Sequence, residues 1–105
     1  MADERQDQPG GAVKERAQTR KKTPKLYKVV LLNDDYSTMA FVIEVLENVF
    51  MKTPSEAYRI MMLVHTQGRG LAGVYALEIA ETKVDTVIRM ARNAGFPLRA
   101  TIEPE

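Results

Sequence analysis

The chain has 105 residues, 45% of them apolar, with 15 Lys/Arg against 14 Asp/Glu and no cysteine. That is enough for one compact domain with a modest core, too little uninterrupted apolar sequence for a membrane span, and no material for disulfides or thiolate metal sites. With no apolar signal segment at the start, the expected compartment is the cytoplasm.

Residues 1–23 carry six Lys/Arg and four Asp/Glu, whereas residues 24–105 carry nine and ten. The basic excess, including Arg20-Lys21-Lys22, therefore lies in the extension, and the remainder is not a basic nucleic-acid surface. Met1 and Val13 are the only sizeable apolar residues before Pro24, and Pro9-Gly10-Gly11 interrupts the segment. Such a stretch cannot offset its ordering entropy by burial, so 1–23 is expected to be a disordered extension and 24–105 the folded domain.

The first predicted element is the strand Leu26 to Leu32, rich in β-formers and closed by Asn33-Asp34-Asp35. A helix follows, with Ser37 as the expected N-cap, Tyr36 and Phe41 placed for a hydrophobic staple, and an apolar stripe at 41, 42, 45, 46, 49 and 50. Thr53-Pro54-Ser55-Glu56 combines a cap, a first-position proline and a capping-box acid, so a second helix runs from Pro54 to about Gln67 and stops at Gly68. Alternation over Leu71 to Ala80 predicts a second strand. Thr82-Lys83-Val84-Asp85 then reads as the start of a third helix that ends near Gly95, before a short strand from Pro97 to Ile102. The order β-α-α-β-α-β implies a small α+β sandwich, a three-stranded antiparallel sheet with three helices on one face.

Candidate chemistry gathers at the end of the first strand. Asn and Asp there either bond their own backbone in a turn or form an acceptor-rich rim, and three in succession exceed the needs of one turn. His65, the only histidine, shares a helical column with Met61. Met39, Met61 and Met62 read as core filler or as the flexible lining of an adaptable pocket. A carboxylate rim beside Met39 and Val42 suits a ligand with a cationic head and an apolar body. Enzymatic readings find little support. There is no cysteine, Ser37 and Ser55 lie outside any nucleophile elbow, adjacent Asp34 and Asp35 point apart if extended, and Gly68-Arg69-Gly70 lacks the rest of a phosphate loop. Metal ligation by Asn33, Asp35 and His65 has no supporting spacing.

Tyr27-Lys28-Val29, Leu32-Asn33-Asp34-Asp35-Tyr36, Met39, Phe41-Val42, Val64-His65 with Gly68, Gly73-Val74, Glu78, Ala80-Glu81-Thr82-Lys83-Val84 and Pro97-Leu98 together resemble the ClpS family of Clp protease adaptors. The resemblance covers essentially everything after Pro24. It implies a non-enzymatic adaptor, without cofactor or metal, that binds N-degron substrates beginning with Leu, Phe, Tyr or Trp and delivers them to the ClpA unfoldase of ClpAP. It puts Asn33, Asp35 and His65 around the substrate's α-amino group and Asp34 beside the following backbone. Ser37, Met39, Val42, Met61, Val64 and Leu98 fall around the side-chain pocket. Glu78 and Lys83 match positions that contact the unfoldase's N-terminal domain, and the extension matches a segment used in delivery. A monomer with no nucleic-acid or membrane partner is expected. Thr38 and Ala40 depart from the Pro and Glu usual in the family, and Ala40 removes a capping-box carboxylate. The competing reading is a generic protein-binding module of the ribosomal-stalk C-terminal-domain type, which would need neither His65 nor the paired aspartates.

Overall fold

The computed structural model describes residues 24–105, so the expected extension over 1–23 lies outside the described residues. The chain runs β1 (Leu26–Leu32), α1 (Met39–Asn48), α2 (Pro54–Gln67), β2 (Arg69–Ala76), α3 (Leu77–Ala94) and β3 (Arg99–Pro104). β1 lies between β2 and β3, antiparallel to both. The predicted element order and α+β architecture hold.

β1 sits at the centre because it can be buried from both sides. Val29 and Leu31 are fully buried in the core shared with the helices. Val30 points the other way, where the register sets it between Leu71 and Thr101, yet it is only 3% exposed. On that side the Arg69 guanidinium of β2 reaches across β1 to the Glu103 carboxylate of β3 at 2.6 Å, so a polar bridge shields the sheet where no apolar layer does.

The core that supports α1 and α2 is built from Phe41, Val42, Val45 and Leu46 on α1 and Ala57, Ile60, Met61 and Val64 on α2. These recur at helical spacing, which turns one stripe of each helix into the shared core. Close packing of α2 on β2 depends on Gly70: a Cβ there would fall 2.7 Å from Val64 Cγ2 and 3.1 Å from the Ile60 carbonyl. A larger residue would push the C-terminal half of α2 outward, and with it Val64 and His65.

Four local expectations are corrected. Thr38, not Ser37, caps α1, with Thr38 Oγ1 accepting from the Phe41 N–H at 3.1 Å, while the Ser37 hydroxyl is held by Asp34. Tyr36 forms no staple. It is 74% exposed, and Phe41 instead meets Phe96 with ring centroids 5.0 Å apart. The second strand ends at Ala76 rather than Ala80, and α3 begins at Leu77, one and a half turns before the Thr82 cap that was expected. Leu77-Glu78-Ile79-Ala80-Glu81 alternates apolar and polar residues, but Ala80 also starts the helical series Ala80, Val84, Val87, Ala91, whose burial selects the helix. Thr82 then lies inside α3, its hydroxyl donating to the Glu78 carbonyl at 3.1 Å. The last strand is displaced by two residues at each end, to Arg99–Pro104.

Candidate functional site

The site forms where β1 ends. Gly68 closes α2 in the left-handed conformation, φ 87°, donating its N–H to the Val64 carbonyl. Its own carbonyl accepts the Asn33 N–H at 3.0 Å. One glycine thus ties the end of the helix carrying His65 to the start of the turn carrying Asn33.

Beyond Asn33 the turn is organised by Asp34. One carboxylate oxygen accepts from the N–H groups of Tyr36 and Ser37, at 2.8 and 2.6 Å, and the other accepts from the Ser37 hydroxyl at 2.7 Å. This is an Asx turn reinforced by a hydroxyl. Burial by itself would raise the Asp34 carboxyl, but the bonds from Ser37 and Tyr36 and the nearby charge of Arg99 outweigh it and hold the group below its ordinary value. Asp34 stays ionised and its oxygens are committed to the turn. Asp35, the next residue, is exposed.

Beside this turn, Asn33, Ser37, Met39, Val42, Met61, Val64 and His65 line one small cavity. Asn33 and His65 are exposed at its polar margin. Val42, Met61 and Val64 are buried at its floor, and Met39, the first residue of α1, is 48% exposed. The cavity measures about 20 Å³, space for little more than one water. An apolar side chain can enter only if its lining moves, and the unbranched thioethers of Met39 and Met61 are the groups best able to do so. Seven residues singled out from the sequence therefore meet at one place.

Leu98 is buried but lines a different cavity of about 290 Å³, together with Ile88, Ala91, Arg92, Phe96, Pro97 and Arg99. Glu78 and Lys83 lie elsewhere, on α3. Glu78 is exposed in its first turn, where a carboxylate complements the helix dipole. Lys83, read from the sequence as part of the first turn of the third helix, is half-buried. Its ammonium donates to the carbonyl of Val49, the C-cap of α1, at 2.7 Å and lies 5.3 Å from the Tyr75 ring centroid and 6.0 Å from that of Phe50. A cation at a helix C-terminus over two aromatic faces is well placed to hold that end of α1. The sequence reading did not single out Arg99. Its proximity to the turn comes from the register that sets it opposite Leu32.

The family described as ATP-dependent Clp protease adaptor protein ClpS matches residues 22–101. A ClpS adapter protein from Desulfatibacillum aliphaticivorans is 56% identical over 82 residues, 78% of this chain and 79% of that relative. One from Maricaulis maris is 53% identical over 96 residues, covering 91% of this chain and 86% of the relative. Among solved structures, Agrobacterium tumefaciens ClpS2 bound to L-phenylalaninamide is 46% identical, with a TM-score of 0.76, and the match spans 79% of this chain and all of that one.

Proposed function

The chain belongs to the ClpS family of ATP-dependent Clp protease adaptor proteins, and we propose that it captures proteins by a free N-terminal amine and a large apolar first side chain, Leu, Phe, Tyr or Trp. It then delivers them to the N-terminal domain of a ClpA-type AAA+ unfoldase. The observation that carries this reading is the juxtaposition of the Asn33 and His65 margin with a floor of Val42, Met61 and Val64 beneath Met39.

An ammonium needs acceptors. The Asn33 side-chain carbonyl and a lone pair of the His65 ring each supply one, and the exposed Asp35 carboxylate adds a third. Asp34 acts on this group indirectly, since its oxygens already hold the Tyr36 and Ser37 N–H groups; it fixes the backbone along which the substrate's second residue passes. Entry of the apolar side chain displaces Met39 outward and places the ligand against Val42, Met61 and Val64. The ligand of the Agrobacterium tumefaciens relative has the same two parts, a free amine and a benzyl side chain.

No bond is made or broken in this role, so the protein acts as an adaptor and not as an enzyme. Glu78 offers an exposed carboxylate to the unfoldase beside the exposed apolar residues Leu77 and Ile79. Lys83 contributes by holding the end of α1 against α3.

The test is reconstituted degradation. With a ClpA-type unfoldase and its peptidase, adding the protein should speed loss of a reporter beginning with Leu and leave the same reporter beginning with Ala intact. Equal acceleration of both, or of neither, contradicts the proposal.

A further inference from the structure

β2 carries a glycine that its backbone does not require. The glycines with positive φ among the described residues are Gly68 and Gly95, so Gly70, paired with Leu31 of β1, lies in extended backbone open to any residue. Glycine weakens a strand, and where the backbone does not need it, it marks a close approach. The approach here is made by α2. A Cβ at position 70 would fall 2.7 Å from Val64 Cγ2, 3.1 Å from the Ile60 carbonyl oxygen and 3.3 Å from Ile60 Cγ2, so two residues one helical turn apart rest on a bare α-carbon.

Val64 also lines the small cavity, which Gly70 itself does not reach. It belongs to the stiff part of that lining. Met39 and Met61 can change shape, whereas a valine on a helix keeps essentially one rotamer. Nor is this end of α2 free to swing, since the Gly68 N–H is bonded to the Val64 carbonyl and the Gly68 carbonyl to the Asn33 N–H. A side chain at position 70 would therefore be accommodated by moving Val64 away from β2. In a close-packed interior that movement goes into the void Val64 already borders, the cavity of about 20 Å³.

We propose that Gly70 is a positioning residue that sets the width of the first-residue pocket. By letting Val64 recede against β2, it leaves room for the rings of Phe, Tyr and above all Trp, while Leu needs less. The proposal rests on the N-terminal-residue reading above and adds to it a size rule imposed from outside the lining.

The experiment uses free-amine peptides with a C-terminal dye, identical except for a first residue of Leu, Phe or Trp. They are titrated by fluorescence anisotropy against the full-length protein, Gly70→Ala, Val64→Ala and the double variant. In Gly70→Ala the Trp peptide should weaken relative to Leu by at least about fivefold, with Phe between them, as expected for overfilling a packed site. Adding Val64→Ala should return the Trp-to-Leu ratio to the wild-type value or above, because alanine has no Cγ2 to displace. A purely structural role for Gly70 would lower the melting temperature and leave that ratio unchanged, and this result overturns the proposal. So does a lowered ratio that the double variant fails to restore. Val64→Ala alone keeps Gly70 and serves if Gly70→Ala does not fold: its Trp-to-Leu ratio should rise about threefold, and an unchanged ratio overturns the proposal. These outcomes leave the N-terminal-residue reading standing. If none of the three peptides binds the wild type, both fall.

Discussion

The polar margin and the apolar floor of the candidate site are held in opposite ways. Around Asn33 the backbone is fixed by the Gly68 carbonyl on one side and by three bonds to Asp34 on the other. Beneath it, the cavity is small, about 20 Å³, and its lining includes one half-exposed and one buried methionine. On the proposed function, the difference follows from what each part would recognise. Acceptors for an ammonium gain by being positioned beforehand, since a misdirected acceptor loses most of its bond. An apolar pocket that stood open would expose its lining to water, and a flexible thioether allows it to close without ligand and adapt with it.

Widening the adaptable half is the way to break this contrast with the largest expected effect. Met39 begins α1, so its side chain is expected to lean back over the turn, across the path that the proposed function gives an incoming β-carbon. A second β-substituent should collide at a cost of about 1 to 3 kcal/mol. In Met39→Ala, peptides beginning with Ile or Val should therefore gain roughly fivefold or more relative to Leu. Competition titrations with the three peptides measure the ratio, and an unchanged ratio would make Met39 ordinary packing.

Loosening the fixed half should have a smaller effect. Asp34→Ala removes the bonds that organise the turn without removing a direct acceptor for the amine. It is expected to cost about 1 to 2 kcal/mol of stability and about threefold in affinity for a Phe peptide, by misplacing Asn33 and Asp35. Denaturant melts and peptide titrations check both figures. Acid should not reproduce this change until it is strong. Asp34 has a folded-state value below its unfolded one, so its contribution is complete above the unfolded carboxylate range and is lost only as pH falls through the depressed folded value. Acidification to about pH 5 leaves this group's contribution intact.

The smallest effect on the site is expected from a change outside both halves. Lys83→Ala removes a bond to the end of α1 and two aromatic contacts. It should lower stability by about 1 kcal/mol, a fall of about 4 to 8 °C in a domain of this size. Calorimetry reads that loss, while Phe peptide affinity should remain within about twofold. A large loss of peptide affinity would show that the end of α1 governs the pocket from a distance. The same variant confounds any test of unfoldase binding unless its stability is measured first.

The sequence made some of this legible and concealed the rest for physical reasons. β1 and α2 were readable to the residue, since the Asx cluster, Thr53-Pro54 and Gly68 are local stop and start signals that tertiary contacts reinforce. The first turn of α3 was not, because Leu77 to Glu81 satisfies both the strand and helix periods, and only the burial of Ala80 decides between them. The cap of α1 was misplaced by one residue because Ser37 and Thr38 both carry hydroxyls, and a bond to Asp34 three residues back claims the first. Within the site, Asn33, Met39, Val42, Met61 and His65 could be picked out from the turn and the helical columns, whereas Ser37 and Val64 were placed at the pocket by the family resemblance. The cavity's small size could not be read in advance, nor could the approach of Arg99, which depends on strand register, or the engagement of Lys83 with Val49, which depends on two helices meeting.

On the proposed function, the fixed margin exists to receive a free amine. Two otherwise identical fluorescent peptides beginning with Phe, one free and one N-acetylated, test it in a single anisotropy titration. Acetylation removes the ammonium, and with it the charge-assisted bonds to Asn33, Asp35 and His65, so the blocked peptide should bind more weakly by about 1.5 to 3 kcal/mol, roughly ten- to a hundredfold. Equal affinity for the two peptides would contradict the account.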